Sequence, residues 1–466
     1  MPAPSQASME AVAPLPSPLR TGVDALLRRM DGFASSGLIV IAVRIAGAGL
    51  GLCAQVLASR YVGAEAFGQY ALILVWLLLL GHGSTAGTSQ VICRFLSTYK
   101  AEGDGAAAAG LLRFATMLAM GVAIFAALLA VTLARSGVLG LEPQMVALAT
   151  LAFCVVPLLV LQDVLESIAR GLDRPHLGIA PVILLRHAAI AMGVIAMMVL
   201  GREGDAVTIM SFTVAGLCAS LIVQYALIRK TLSKVLAGAR PRYHRAQWFR
   251  TALPLCFLDA ADLLFLNADI LILGLLVPPE IVAFYFAATR LSQILAYVPY
   301  GISAATAQKY APLAAKGDLA ALQTLISQAT ALSAGLAALA GIFLYLAAPF
   351  LLALFGPGYE TAAPIVLLLS LGIVIQCALG PGDDVLNMLG EERICSAVFI
   401  VAVAANVGLN FALIPIWGIA GAATATLFAL ALRGLLLAFF AHRRLGLALP
   451  LGTRRLLAKR LAGETT

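Results

Sequence analysis

Charged residues are scarce in this chain. Asp, Glu, Lys and Arg make up 12% of its 466 residues, whereas a soluble protein carries about 25%. No long polar segment stands between the apolar runs, so a separate soluble domain is not expected. Basic residues exceed acidic ones by eight, but they are divided among loops rather than gathered on one soluble face. This distribution argues against nucleic-acid binding.

Motifs of enzymes and metalloproteins are also missing. The seven cysteines are scattered, with no C-x-x-C pair and no Cys/His cluster, so we expect neither disulfides nor a metal site. There is no nucleophile elbow and no phosphate-binding glycine loop, so we expect no catalytic residues, no cofactor and no enzymatic activity. Residues 1–30 contain five prolines but lack the apolar core and cleavage site of a signal peptide. We therefore interpret residues 1–36 as a disordered cytoplasmic leader.

Apolar runs of about 20 residues, long enough to cross the ~30 Å hydrocarbon core as helices, recur along the whole chain. Hydrophobic residues amount to 61% of the sequence, and the mean hydropathy is +0.97. A spanning helix satisfies its own backbone groups in lipid. The sequence thus predicts an all-α, polytopic membrane protein with about twelve transmembrane helices, near residues 37–58, 67–89, 112–134, 145–167, 177–200, 206–228, 250–276, 281–303, 325–347, 363–386, 395–415 and 418–441.

The basic residues predict the orientation of these spans. With the N-terminus in the cytoplasm, the segments on that side hold 24 of the 31 Lys and Arg residues. The loops on the other side hold three, namely Arg60, Arg135 and Arg202. Because loops rich in Lys and Arg stay in the cytoplasm, both termini are predicted to be cytoplasmic, and the basic loops are expected to contact anionic membrane lipids.

The chain repeats itself. The segment 101–118 (AEGDGAAAAGLLRFATML) is echoed by 315–332 (AKGDLAALQTLISQATAL), and VGAEAFGQYAL at 62–72 is echoed by VPPEIVAFYFA at 277–287. We therefore predict two pseudo-symmetric six-helix lobes, 37–228 and 250–441, joined by a basic cytoplasmic linker at 229–249 and followed by a basic cytoplasmic tail at 442–466. Parallel repeats of this kind place a substrate path between the lobes.

Four segments resemble the polysaccharide transporters, which are lipid-linked oligosaccharide (O-antigen) flippases of the multidrug/oligosaccharidyl-lipid/polysaccharide exporter superfamily. They are DILILGLLVPPEIVAFYFAATRL (269–291), GAEAFGQYAL (63–72) with RFL (94–96), and LFGPGYETAAP (354–364). The chain departs from the family pattern at Ala283, where glycine is usual, and at His82, where an acidic residue is common.

The resemblance implies a flippase that moves an undecaprenyl-pyrophosphate-linked oligosaccharide across the bacterial inner membrane by alternating access between lobes. The product would serve polysaccharide or lipopolysaccharide biosynthesis. The implied partners are the lipid-linked oligosaccharide, membrane lipids, and assembly proteins such as a polysaccharide polymerase.

Charges inside the predicted spans identify candidate site residues. An arginine at the centre of a span costs about 2.5–3.5 kcal/mol, so it must have a partner or face a polar path. Arg290 and Asp269 lie roughly 14 Å and 10 Å from the outer ends of adjacent spans. Two hypotheses follow: the two residues form a buried ion pair, or Arg290 binds the pyrophosphate, which guanidinium groups bind through paired hydrogen bonds.

The resemblance places the first, second, seventh and eighth helices around a central cleft. The candidates for substrate binding in this cavity are Arg44, His82 and Arg290, with Arg186 and Arg433 ranked below them. The candidates for ion coupling or charge pairing are Asp259, Asp262 and Asp269. Asp163 and Glu166 lie near an inner helix end, and we interpret both as solvated.

Two other functions stay open. A drug/cation antiporter of the same superfamily would favour an acidic cavity, whereas the four arginines within spans roughly match the acids. A membrane-embedded glycan ligase or polymerase would need a sizeable extracytoplasmic catalytic loop, and the longest outer loops, 133–143 and 355–364, are short for that purpose.

Overall fold

The computed structural model describes the backbone of residues 17–236, 238 and 240–451, and the side chains of these residues from 42 onward. These residues form only helices, turns and loops, which confirms the predicted all-α fold. The α-helices are α1 (Ser17–Ser84), α2 (Thr88–Glu102), α3 (Gly105–Arg135), α4 (Pro143–Cys154), α5 (Val156–Gly171), α6 (Pro175–Val199), α7 (Ala206–Leu236), α8 (Arg245–Leu276), α9 (Pro279–Ser292), α10 (Tyr297–Ala315), α11 (Leu319–Ala353), α12 (Ala363–Leu379), α13 (Gly382–Met388), α14 (Glu392–Trp417) and α15 (Ile419–Leu445). Short 3-10 helices occupy Gln293–Ala296 and Tyr359–Ala362.

Ten helical stretches among the described residues are long and apolar enough to cross a membrane. One of them, Ala42–Ser84, has 43 residues and would measure about 65 Å as a straight helix, roughly twice the hydrocarbon thickness. It is kinked at Gly63, where φ is 82°. Helix α8, with 32 residues, is not among the ten. Counting α1 as two spans and adding α8 gives twelve, so that number stays a prediction which these features favour.

Three of the predicted continuous spans are broken in the structure. The span 145–167 is divided between α4 and α5 beside Pro157, and the span 363–386 is divided between α12 and α13 at Gly380–Pro381. A proline lacks the N–H that would continue the helix. The span 281–303 changes to a 3-10 helix at Gln293 before α10 begins. The spans are therefore correct in position but not in continuity.

The ends of the chain and the linker are only partly described. Helix α1 begins at Ser17, within the predicted leader. Residues 1–16 of that leader and residues 452–466 of the predicted tail lie outside the described part of the chain. Helices α7 and α8 both extend into the predicted linker. The division into two lobes stays a prediction, and we refer below to the first and second halves of the chain, on either side of this linker.

The two halves are hydrogen-bonded to each other at the end of the molecule where α1 is kinked. The Ser59 hydroxyl donates to the Tyr359 hydroxyl oxygen at 2.6 Å, and Arg60 Nε donates to the carbonyl of Leu354, also at 2.6 Å. In each pair the partners are about 300 residues apart in sequence. We call this end of the molecule the closed end.

Gly68 allows α1 to touch the start of α9 beside these bonds. A Cβ atom at Gly68 would lie 1.8 Å from the carbonyl oxygen of Pro279 and 3.3 Å from the backbone nitrogen of Ala283. Next to Gly68, the buried rings of Phe67 and Phe286 meet edge to face, with centroids 5.9 Å apart. The two halves therefore share one apolar core at the closed end.

Candidate functional site

A cavity of about 250 Å³ lies between the two halves of the chain. The first half contributes Tyr70, Arg186 and His187 from α1 and α6, and the second half contributes Arg290 and Gln293. No Asp or Glu is among the described residues that line it. Two guanidinium groups from opposite halves thus face one space without a lining carboxylate. We call this space the cationic cavity.

Arg290 is held without an ion pair to any residue that the structure describes. Its NH1 donates to Gln293 Oε1 at 2.9 Å, and its guanidinium carbon lies 4.3 Å from the centroid of the Phe286 ring. Its Nε is buried and has no hydrogen-bond partner in the described part of the chain. A guanidinium has five N–H donors, so Arg290 retains donors for a ligand.

Asp269 does not form the predicted ion pair with Arg290. The Tyr285 hydroxyl donates to Asp269 Oδ2 at 2.5 Å, and the backbone N–H of Ile270 donates to Asp269 Oδ1 at 2.8 Å. No oxygen of Asp269 lies within 4.0 Å of a basic nitrogen among the described residues. The hypothesis of a direct Asp269–Arg290 pair is therefore wrong, and the partner of this buried carboxylate is a tyrosine.

Arg186 has neither a hydrogen bond nor an ion pair with the residues that the structure describes. The helix that carries it packs closely on α7, because a Cβ at Gly216 would lie 2.8 Å from the Arg186 Cα. The neighbouring His187 places Nδ1 2.7 Å from the carbonyl of Ile183. Because a carbonyl only accepts, Nδ1 carries the proton of that bond. Arg186, ranked low from the sequence, is thus one of the two arginines of the cationic cavity.

A second cavity of about 250 Å³ is lined by acidic residues of both halves. Asp163 and Glu166 come from α5, and Asp259 and Asp262 come from α8. His82 lines the same space, and its Nδ1 is 2.6 Å from Asp163 Oδ2. We call this space the acidic cavity. The sequence predicts that Asp163 and Glu166 are solvated, and the structure places both, half-buried, in this cavity.

The acidic cavity carries a compensating cation. Arg170 lines it and places Nε 3.8 Å from Glu166 Oε1. Among the described residues, no group of three or more His, Cys, Asp or Glu side chains could hold a metal ion. The spacing of Asp163, Glu166 and Arg170, three and four residues apart on one helix face, is the sequence signal that could have identified this cluster.

Two predicted cavity residues lie elsewhere. Arg433 NH2 donates to Asp383 Oδ1 at 3.1 Å, and its guanidinium lies over the Phe399 ring at 4.7 Å. Arg433 therefore joins three helices within the second half. Arg44 is exposed on α1 and lines neither the cationic nor the acidic cavity. The structure thus brings together Arg186 and Arg290, and not Arg44 or Arg433.

Comparison with known sequences gives two family matches. Residues 33–307 match the model described as "Polysaccharide biosynthesis protein", and residues 254–416 match the MatE model. The probable flippase AglR of Haloferax volcanii is 29% identical over 172 residues, which cover 36% of each chain. The uncharacterized membrane protein MJ1068 of Methanocaldococcus jannaschii is 36% identical over 75 residues, 16% of this chain and 15% of that one. The matched part thus spans about a third of AglR and less of MJ1068.

Solved structures share the fold over most of their length. An inward-facing multidrug resistance MATE family transporter of the MOP superfamily superposes with a TM-score of 0.71 at 16% identity, over 85% of this chain and 94% of that one. The lipid II flippase MurJ, in an inward closed conformation, gives a TM-score of 0.66 at 14% identity, over 86% and 87%. At such low identities the likeness concerns the fold alone.

Proposed function

Because the chain belongs to the polysaccharide biosynthesis protein family, whose model matches more than half of it, we propose that it is a flippase for a lipid-linked oligosaccharide. The family match confirms the resemblance to polysaccharide transporters that the sequence motifs indicated. In support, AglR is named a probable flippase, and MurJ, which flips lipid II, has the same fold.

The observation that carries the proposal is the cationic cavity. Arg186 and Arg290 come from opposite halves and line one space that no carboxylate of the described residues lines. Guanidinium groups bind phosphate oxygens through paired, charge-assisted hydrogen bonds, so the pair suits a pyrophosphate. Ligand pockets usually measure about 300–1,000 Å³, and this cavity is smaller, about 250 Å³. It therefore suits the pyrophosphate headgroup, with the sugars and the lipid tail outside it.

The finer features of the proposal are those that the resemblance to polysaccharide transporters implies, together with the orientation that the basic residues predict. The carrier is undecaprenyl pyrophosphate bearing an oligosaccharide, such as an O-antigen repeat unit, and the membrane is the bacterial inner membrane with both termini in the cytoplasm. Transport proceeds by alternating access between two six-helix lobes. A polysaccharide polymerase and other assembly proteins receive the product.

A drug/cation antiporter is the second candidate, favoured by the MatE match and by the acidic cavity. An organic cation could pair with Asp259 or Asp262 there. It would then have to pass two arginines in a cavity that no described Asp or Glu lines, and these arginines repel it. We therefore rank this function below the flippase.

The test is translocation in proteoliposomes. The purified chain is reconstituted with a fluorescent undecaprenyl-pyrophosphate-linked oligosaccharide, and the outer-leaflet fraction is measured by quenching. Arg186→Gln and Arg290→Gln should each reduce the translocation rate at least tenfold, since each removes a charge-assisted contact. The matched control is Arg433→Gln combined with Asp383→Asn, which removes a half-buried arginine and its partner away from the cavity and should leave the rate near wild type.

Two results would contradict the flippase. One is wild-type translocation by both cavity variants. The other is transport of an organic cation, but not of the lipid-linked oligosaccharide, by the unmodified protein, and this result would favour the antiporter.

A further inference from the structure

The guanidinium of Arg290 is held by a side chain that carries no charge. We propose that Gln293 positions Arg290 for an anionic headgroup, and that the neutrality of Gln293 leaves the charge of Arg290 available to that ligand. This inference rests on the proposed function and adds a positioning and specificity-determining residue to it.

The position of Gln293 is set by the backbone. It is the first residue of the 3-10 helix Gln293–Ala296, which separates α9 from α10. Three residues earlier, Arg290 lies on the same face of the helix, and the two side chains meet at 2.9 Å between NH1 and Oε1. The Phe286 ring packs against the guanidinium from the preceding turn, 4.3 Å away. The amide and the ring therefore fix both the direction and the plane of the guanidinium.

Arg290 and Arg433 both lie within the helical part of the chain, but their guanidinium groups are bound by different kinds of side chain. Arg433, away from the cationic cavity, is bound by the carboxylate of Asp383 at 3.1 Å. Arg290, in the cavity, is bound by an amide oxygen, and no carboxylate lines that cavity among the described residues. A carboxylate would compensate the positive charge, whereas an amide oxygen accepts the same hydrogen bond and leaves the charge in place. The amide is therefore suited to a site that must bind a polyanion.

The chain offers a matched control in Gln55. Its side chain lines the same cavity, but its Oε1 is buried without a hydrogen-bond partner and does not bond Arg290. Gln55→Glu and Gln293→Glu each add one negative charge to the same cavity. Only Gln293→Glu places that charge on the atom that bonds the guanidinium, so a comparison of the two separates local pairing from a general change in potential.

The experiment measures binding of undecaprenyl diphosphate, without sugar, to the full chain in nanodiscs by calorimetry. Gln293→Glu should weaken binding at least tenfold, because the new ion pair competes with the phosphate. Gln293→Met, which keeps the shape but loses the acceptor, should weaken it about three- to tenfold, as expected for the loss of one hydrogen bond. Gln55→Glu should weaken it less than Gln293→Glu. In transport assays, Gln293→Glu should raise KM, with the thermal midpoint of the protein unchanged.

A second readout does not depend on the lipid. Phenylglyoxal reacts with guanidinium groups, and mass spectrometry reports its reaction at Arg290 residue by residue. The reaction should be slower in Gln293→Glu than in wild type and unchanged in Gln55→Glu, with Arg433 as an internal reference.

The outcomes separate the two proposals. Equal binding by wild type and Gln293→Glu, or equal losses in Gln293→Glu and Gln55→Glu, would overturn the role of Gln293 while leaving the flippase intact. If the wild-type protein binds no undecaprenyl diphosphate, the flippase proposal fails. The rates of the phenylglyoxal reaction at Arg290 then test by themselves whether Gln293 positions this arginine. Slower reaction only in Gln293→Glu supports positioning, and equal rates in all three proteins overturn it.

Discussion

Replacing Gly68 by alanine should push the two halves of the chain apart at the closed end. The added Cβ would lie 1.8 Å from the carbonyl oxygen of Pro279 and 2.5 Å from its carbonyl carbon. Real Cβ contacts essentially never fall below 3.0 Å, so α1 and α9 must separate by about 1.2 Å. The obstacle is backbone, so no side-chain rotation relieves it.

The energetic effect can be estimated from the same contact. Overpacking of this kind costs about 1–3 kcal/mol, which the protein avoids by populating conformations in which the closed end is open. The ratio of open to closed conformations should therefore rise about 5- to 150-fold. The matched control is Gly49→Ala in the same helix, where an added Cβ meets nothing within 4 Å. Both variants gain the helix propensity of alanine, up to about 1 kcal/mol, and only Gly68→Ala adds the clash.

The assay is a distance measurement by double electron–electron resonance, made on a variant of the protein from which the native cysteines have been removed. Spin labels are placed at Glu203 and Glu360, which are both exposed, and report the separation of the two halves at the closed end. Glu203 lies in the α6–α7 loop, which is held at this end by a 2.8 Å hydrogen bond from the Tyr61 hydroxyl to the carbonyl of Arg202. Gly68→Ala should gain a longer-distance population, and Gly49→Ala should match wild type. Identical distance distributions for both variants would refute the view that this backbone contact holds the halves together.

Three further outcomes are expected. Tyr359→Phe removes the hydrogen bond from the buried Ser59 hydroxyl and should raise the ratio of the longer-distance to the shorter-distance population about 2- to 10-fold. An unchanged ratio would show that the bond contributes nothing to closure. Arg433→Gln strands Asp383 and should lower the thermal midpoint, with a loss of about 1–3 kcal/mol, whereas adding Asp383→Asn should recover it; a double variant as unstable as the single one would contradict the pairing. Reporter fusions after residue 240 should be cytoplasmic and after residue 203 external, and the reverse at either site would contradict the predicted orientation.

The fold class could be read from the sequence because it depends on composition and run length. An apolar run of about 20 residues must be helical in lipid whatever it packs against, so most predicted spans fall within helices, although the helices extend beyond them, as α11 (Leu319–Ala353) does beyond 325–347. The breaks inside spans were missed because hydropathy averages over a window. The prolines at 157 and 381 were available as signals, whereas the 3-10 helix at Gln293–Ala296 contains no proline.

The pairing of Asp269 shows why depth along a helix does not identify a partner. Arg290 and Tyr285 are both within reach of Asp269 by depth alone. Five residues separate them on α9, which places them about 140° apart around the helix axis. Asp269 can therefore meet one of them and not the other, and it meets Tyr285. The rotation of α9 about its axis is decided by long-range contacts such as Gly68 with Pro279, which no local pattern contains.

The same contacts explain how an anion between the halves can act on the whole molecule. A ligand shifts a conformational equilibrium only by its difference in affinity between the two states. Arg186 belongs to α6 and Arg290 to α9, so any movement of the halves changes the distance between the two guanidinium groups. Under the proposed function, a bound pyrophosphate offsets their mutual repulsion and stabilises the conformations in which both can reach it. The geometry of the closed end and the occupancy of the cationic cavity are therefore coupled through α9, which carries Arg290 and begins at the residue that contacts Gly68.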